Sequence, residues 1–204
     1  MKRNMKRRGF TLVELLIVIV VIGILSAMMM LSSTEAVTSA KASNIVSNLR
    51  NLKTAALAFY VDHLDMMEGV TNVAANAKGI NGKTTGEGTT ATTTYEEANK
   101  FTIPGSGATA ENVTFTKAVA HYMNNAENSA TDLETLGYGV LIDANGDWFV
   151  TYDITKEGSS TEQTQIKQKL AGRAKSVGLC KGGTAPAKAN PFTTSDTNVA
   201  MFVR

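Results

Sequence analysis

The chain has 204 residues, 43% of them hydrophobic and 19% charged, with a formal charge of +2 at neutral pH. That length allows one head domain with a sizeable core, and 20 basic against 18 acidic residues give no electrostatic basis for specific nucleic-acid binding. The single cysteine, Cys180, excludes an intrachain disulfide.

The N-terminal residues are basic: Lys2, Arg3, Lys6, Arg7 and Arg8 precede Gly9, with no acid among them. Residues 10–31 are then apolar apart from Thr11, Glu14 and Ser26. At about 1.5 Å rise per residue, a helix of this length covers the roughly 30 Å hydrocarbon core of a bilayer. The basic flank predicts a cytoplasmic leader and an outward-facing remainder. Met28, Met29, Met30 and Leu31 stand where a removable secretory signal would place its small residues, which argues against that reading. Glu14 is the anomaly. A carboxylate inside an apolar span costs about 3 kcal/mol. It needs a compensating positive partner, because opposite charges attract strongly at low dielectric whereas either alone is unfavourable there.

The run Arg8-Gly9-Phe10-Thr11-Leu12-Val13-Glu14-Leu15 resembles the class III leader junction of type IV pilins and type II secretion pseudopilins. The resemblance is strong over about the first fifty-five residues. It implies cleavage between Gly9 and Phe10 by a membrane prepilin peptidase, N-methylation of Phe10, and delivery to an inner-membrane assembly platform. It also implies that Glu14 compensates the N-terminal amine of a neighbouring subunit during filament assembly. Two departures stand out. Leu31 occupies the position where many type IVa pilins have a helix-kinking Pro, which leaves Gly23, unfavourable by about 1 kcal/mol relative to Ala, as the point of expected helix flexibility. Cys180 has no partner with which to close the C-terminal region, as many pilins do. Loss of the leader leaves 15 basic against 18 acidic residues, a formal charge of −3.

Past the apolar run the helical pattern continues. Ile45, Leu49, Leu52, Ala56, Phe59 and Tyr60 recur at helical spacing, with Lys41, Arg50, Lys53 and Asp62 off that stripe. No Pro occurs before Pro104, so one helix over 10–62, roughly 80 Å long, is expected to pack its later half on a sheet. Residues 69–112 are rich in Thr, Ala, Gly and Asn and read as an exposed, variable loop with little to bury. Gly82-Lys83-Thr84 lacks the upstream Gly of a phosphate-binding loop, and Asn112-Val113-Thr114 fits a glycosylation sequon. A short helix is expected over 113–124, with Phe115 and Val119 on one side.

Ala144-Asn145-Gly146 separates two strand-like runs and predicts a hairpin, because both Asn145 and Gly146 tolerate positive φ. Asp143, Asn145 and Asp147 resemble the opening of a calcium loop, but Trp148 replaces the required Gly and the twelfth position lacks Glu, so the turn outweighs the metal. Ser159 with Glu162 predicts a capping box opening a helix to about Val177 through Ile166, Leu170 and Ala174. Residues 182–191 read as loop and 198–204 as a final strand. No catalytic pattern emerges: His63 and His121 fall within helical runs, and no basic cluster activates Cys180.

The expected fold is α+β and pilin-like, with a long N-terminal helix on a small antiparallel sheet and inserted helices. The expected organisation is a leader over 1–9, a transmembrane and assembly helix over 10–31, its amphipathic continuation over 32–64, and an extracytoplasmic head over 65–204. The function expected is a non-enzymatic structural subunit of a type IV pilus or similar filament, needing no cofactor. Its partners would be identical or related pilin subunits, and its place the inner membrane followed by the filament. The alternatives are a type II secretion pseudopilin and a membrane-anchored adhesin or DNA-uptake minor pilin.

Overall fold

The computed structural model describes residues 10–78, 80, 83–85, 92–94, 101, 113–123, 133–183 and 185–204. Helix α1, Leu12–Asp62, runs for 51 residues, about 76 Å, through Gly23 without a break. It ends at His63, whose ring stacks on Phe59 with centroids 4.3 Å apart, and a short helix α2, Leu64–Met67, follows. The predicted stripe is the buried one: Ile45, Leu49, Leu52, Ala56 and Phe59 lie in the core.

Residues 69–112 contribute more than the expected loop. Lys83–Thr85 (β1) and Thr92–Thr94 (β2) pair as an antiparallel ribbon. Val73 bridges to Ile142, and Val73, Ile80 and Phe101 are buried. Composition averaged over the segment hid these few apolar residues, each of which finds a place in the core. Asn112 lies outside the described residues. The helix expected over 113–124 is shorter: α3 spans Phe115–Ala120, because Thr114 accepts a hydrogen bond from the Lys117 amide and so caps it there. Asn124 also lies outside the described residues.

The main sheet has five antiparallel strands in the order β3-β4-β7-β5-β6. These are β3 Tyr138–Ile142, β4 Trp148–Asp153, β5 Leu179–Lys181, β6 Ala187–Pro191 and β7 Asn198–Phe202. The hairpin is present. Gly146 alone takes positive φ, at 82°, and Asn145 does not. The Asp143 carboxylate holds the turn by accepting from the amides of Asn145 at 2.8 Å and Asp147 at 2.9 Å. The 182–191 segment is not all loop, since β6 forms the outer edge there, where Pro191 is tolerated because an edge needs no second hydrogen-bonding partner. The final strand β7 sits at the centre of the sheet, between β4 and β5.

Helix α4, Ser160–Val177, buries Ile166, Leu170 and Ala174 and ends at Gly178 in the left-handed conformation. Only half of its capping box forms. Ser159 accepts from the Glu162 amide, but the Glu162 carboxylate turns to Lys41. Helix α1 packs with α3 and α4 on one face of the sheet, against Val140, Trp148, Val150, Val199 and Met201. A ring cluster fills the far end of this core, where Trp148 meets Phe115 at 5.3 Å and Tyr60 at 5.5 Å between centroids. On the opposite face Leu141, Phe149, Cys180 and Ala200 form a second, smaller cluster. The architecture is thus α+β, a long N-terminal helix laid on a small antiparallel sheet, consistent with a pilin-like fold.

Candidate assembly site

The N-terminal half of α1 leaves the head altogether. Its side chains from Phe10 to Met29 touch no sheet, and even the least exposed of its large apolar residues, Val21, is 48% accessible, so no side of this segment is used by the protomer. By length and composition the helix can cross a membrane. Its start is fixed by sequence chemistry. Thr11 is the N-cap, its hydroxyl accepting from the Glu14 amide at 3.2 Å. Glu14 Oε2 reaches back to accept from the Thr11 amide at 2.8 Å and from the Thr11 hydroxyl at 2.9 Å.

This reciprocal capping box ties up two donors at a helix terminus that would otherwise lack partners, and it gives Glu14 a local partner within its own chain. The sequence reading looked for compensation only in a neighbouring subunit and missed Thr11, although the Thr-x-x-Glu spacing carried that signal. Glu14 Oε1 has no hydrogen bond among the described residues, so the carboxylate keeps an oxygen for a further partner. At Gly23 an added Cβ would meet nothing within 4 Å, so packing inside the protomer does not require glycine.

Where α1 enters the head, a polar hub fixes its direction. Lys41 Nζ lies 3.0 Å from Glu157 Oε2 and 2.6 Å from Glu162 Oε1. These two carboxylates hold the Lys41 ammonium above the ordinary lysine range. The other oxygen of Glu157 accepts from the Tyr152 hydroxyl at 2.6 Å, and Asn48 donates to Tyr138 at 3.0 Å. Burial is the main cause that raises the Tyr138 and Tyr152 phenols. Farther along, Lys53 donates to the Phe202 carbonyl at 2.9 Å, and Arg204 lies over the Tyr60 ring at 3.5 Å.

The other candidate residues are not brought together. Asp143 is occupied by its turn, and Asp147 lies 4.0 Å from Lys188. Among the described residues no group of three or more His, Cys, Asp or Glu side chains converges as a metal site. His63 closes α1 and His121 closes α3. Cys180 is buried, its thiol donates to the Ala200 carbonyl at 3.4 Å, and burial pushes it up to about 11. A groove of about 570 Å³ on the outer face of the sheet, between Ala75, Leu141, Thr151 and Asn198, holds no convergent ionisable pair. Gly9 lies outside the described residues.

A family profile described as the prokaryotic N-terminal methylation motif matches residues 4–30. The chain carries a pilin-type N-terminus. The match covers the leader and the first part of α1 and leaves the head outside it. No curated protein and no solved structure matches the chain. The methylation motif and the exposed apolar helix together support a membrane-anchored, pilin-like or pseudopilin protein with a structural role.

Proposed function

We propose that this protein is a structural subunit of a type IV pilus or pilus-like filament. Prepilin peptidase cleaves it between Gly9 and Phe10, Phe10 is N-methylated, and the assembly platform extracts it from the inner membrane into a polymer of identical or related subunits. The observation that carries the reading is a methylation motif on a helix whose apolar half no part of the protomer covers. Such a surface is stable only in lipid or against other protein.

In this reading residues 1–9 are the leader, 10–31 the membrane and assembly helix, 32–64 its amphipathic continuation and 65–204 the exported head. Glu14 keeps its cap to Thr11 in the membrane and offers its remaining lone pairs to the Phe10 amine of a neighbour in the polymer. Gly23 is the point at which the helix yields on extraction.

The test has two parts. Mass spectrometry of the protein from cells is expected to give methylated Phe10 as the first residue; an N-terminus at Met1 or beyond Phe10 rejects the processing step. Glu14→Ala is expected to abolish filaments while the subunit still accumulates in the membrane; filaments at wild-type yield reject the role of Glu14. Long fibres sheared from wild-type cells separate a pilus from the short polymer of a type II secretion pseudopilin.

A further inference from the structure

The charges of this chain are unevenly placed along it. Residues 163–195 hold six bases and no acid, whereas the rest of the chain past Gly9 holds 9 bases against 18 acids. Four of the six, Lys167, Lys169, Arg173 and Lys175, stand on α4. Arg173 and Lys175 are exposed, and Lys167 and Lys169 are half-buried. Among the described residues none of the four lies within ion-pair distance of an acid. A helix face that serves only solvation mixes both signs, and Lys169 and Arg173, four residues apart, repel each other. The one acid of α4, Glu162, is held by Lys41 at its opening turn.

The fold sets this helix across α1. Glu162 meets Lys41 at 2.6 Å, and the Arg173 guanidinium donates to Ser43 Oγ at 3.1 Å. Those two contacts are about 16 Å apart along α4 but only about 3 Å apart along α1. The crossing stands about 15 Å past Leu31, where the apolar run ends. A cleft lined by Thr34 and Val37 of α1 and by Thr161 and Gln165 of α4 marks the side of α4 that looks back towards the span. Gln168, Gly172 and Lys175 continue that side by helical repeat, and all three are exposed, with Lys169 and Arg173 beside them. On α1 between the span and the crossing, Glu35 is the one acid.

With the apolar run filling the hydrocarbon core, headgroups take up about 6 Å of that 15 Å, and the radius of α4 with its side chains takes up about 5 Å more. The gap that remains is a few ångströms, shorter than the Debye length of about 8 Å at physiological salt. It admits water and ions but neither a duplex nor a second folded chain. We propose that this basic side of α4 rests on an anionic lipid surface, that of the bilayer holding the chain's own span, with Lys169, Arg173 and Lys175 against the headgroup phosphates. The proposal rests on the membrane-anchored reading and adds a second contact, which holds the head at the bilayer until the subunit is extracted. Such a contact is electrostatic and weakens with salt.

The experiment uses the full-length chain with Cys180→Ala and a fluorophore at Gln168→Cys. It is inserted into vesicles of phosphatidylcholine, alone or mixed with phosphatidylglycerol, that carry a headgroup quencher. Quenching is expected to be at least about threefold greater in the anionic vesicles and to fall to the neutral level in about 1 M salt, where the Debye length is about 3 Å. Lys169→Gln with Lys175→Gln is expected to remove the difference while melting in detergent as wild type does; the salt comparison decides even where that variant folds poorly. A label at Ala144→Cys, exposed in the hairpin next to Trp148 and the Tyr60 end of α1, is expected to be quenched equally little in both vesicles. A chain that does not float with vesicles removes the membrane-anchored reading and this contact with it. A chain that floats, with its Gln168→Cys label quenched alike in both, overturns the lipid contact alone. Release of that label from anionic vesicles by duplex DNA at equal phosphate assigns the face to nucleic acid and also overturns it.

Discussion

Cys180 shows how far one residue's chemistry depends on its surroundings. In β5 its thiol is buried against Ala200 and titrates near 11 rather than near 9, because burial disfavours the thiolate. A raised pKa means that the folded state holds the proton more tightly. Its contribution is therefore complete below about pH 9 and lost as pH rises towards 11. Urea midpoints at about pH 8 and about pH 10 should fall for wild type and fall less for Cys180→Ala. The phenol of Tyr122, pushed up to about 12, adds its own loss at higher pH. Gly182 is constrained by space instead. A Cβ there would lie 2.8 Å from the Asn198 backbone carbonyl, so Gly182→Ala must push β7 away from the start of the 182–191 connection. A loss of about 1–3 kcal/mol by denaturant titration is expected. A midpoint unchanged from wild type would mean that the strand yields freely.

At the scale of elements, two joints hold α1 to the head, and they differ in strength. The Lys41 hub is charged and partly open to water, with 38% of the Lys41 side chain exposed, so screening limits it. Lys41→Met should cost about 1 kcal/mol near neutral pH. The raised Lys41 value places the loss of its contribution above the ordinary lysine range, so the variant and wild type should differ at pH 7 and converge in strong alkali. The aromatic joint is dry. Phe59 lies among Phe101, Phe115, Tyr122 and Trp148 at centroid distances of 5.7 to 6.5 Å. Phe59→Ala opens a cavity between helix and sheet and should cost about 3–5 kcal/mol in chemical denaturation. The two variants together test whether burial or charge dominates the joint, and the magnitudes favour burial.

At the scale of the whole molecule, one helix serves two solvents. Its first half is apolar all round and its second half is one-sided towards the head, so membrane anchoring and head folding depend on different residues. Truncation before Thr34 should therefore give a head that dissolves without detergent and unfolds in a single cooperative step by circular dichroism. An aggregated or non-cooperative product would show that the apolar half contributes to head stability. Under the proposed processing at Gly9 the formal charge of the chain would change from +2 with the leader to −3 without it. The processed subunit should then migrate as a mildly acidic protein on isoelectric focusing.

Sequence alone determined the local and periodic features. The apolar run, the Gly9-Phe10 junction, the buried stripe from Ile45 to Phe59, the hairpin about Gly146 and the end of α4 at Val177 all rest on near neighbours along the chain. Such neighbours are printed in the sequence itself. The Thr11 cap was equally local and was legible through its spacing to Glu14. Tertiary structure decided what depends on residues far apart: β7 at the centre of the sheet, β6 as its edge, Val73 on the rim of β3, and Glu162 drawn from its own cap to Lys41 across 121 positions. Strand order and long-range ion pairs follow from which surfaces meet after the chain has packed, and no periodicity of the chain encodes that meeting.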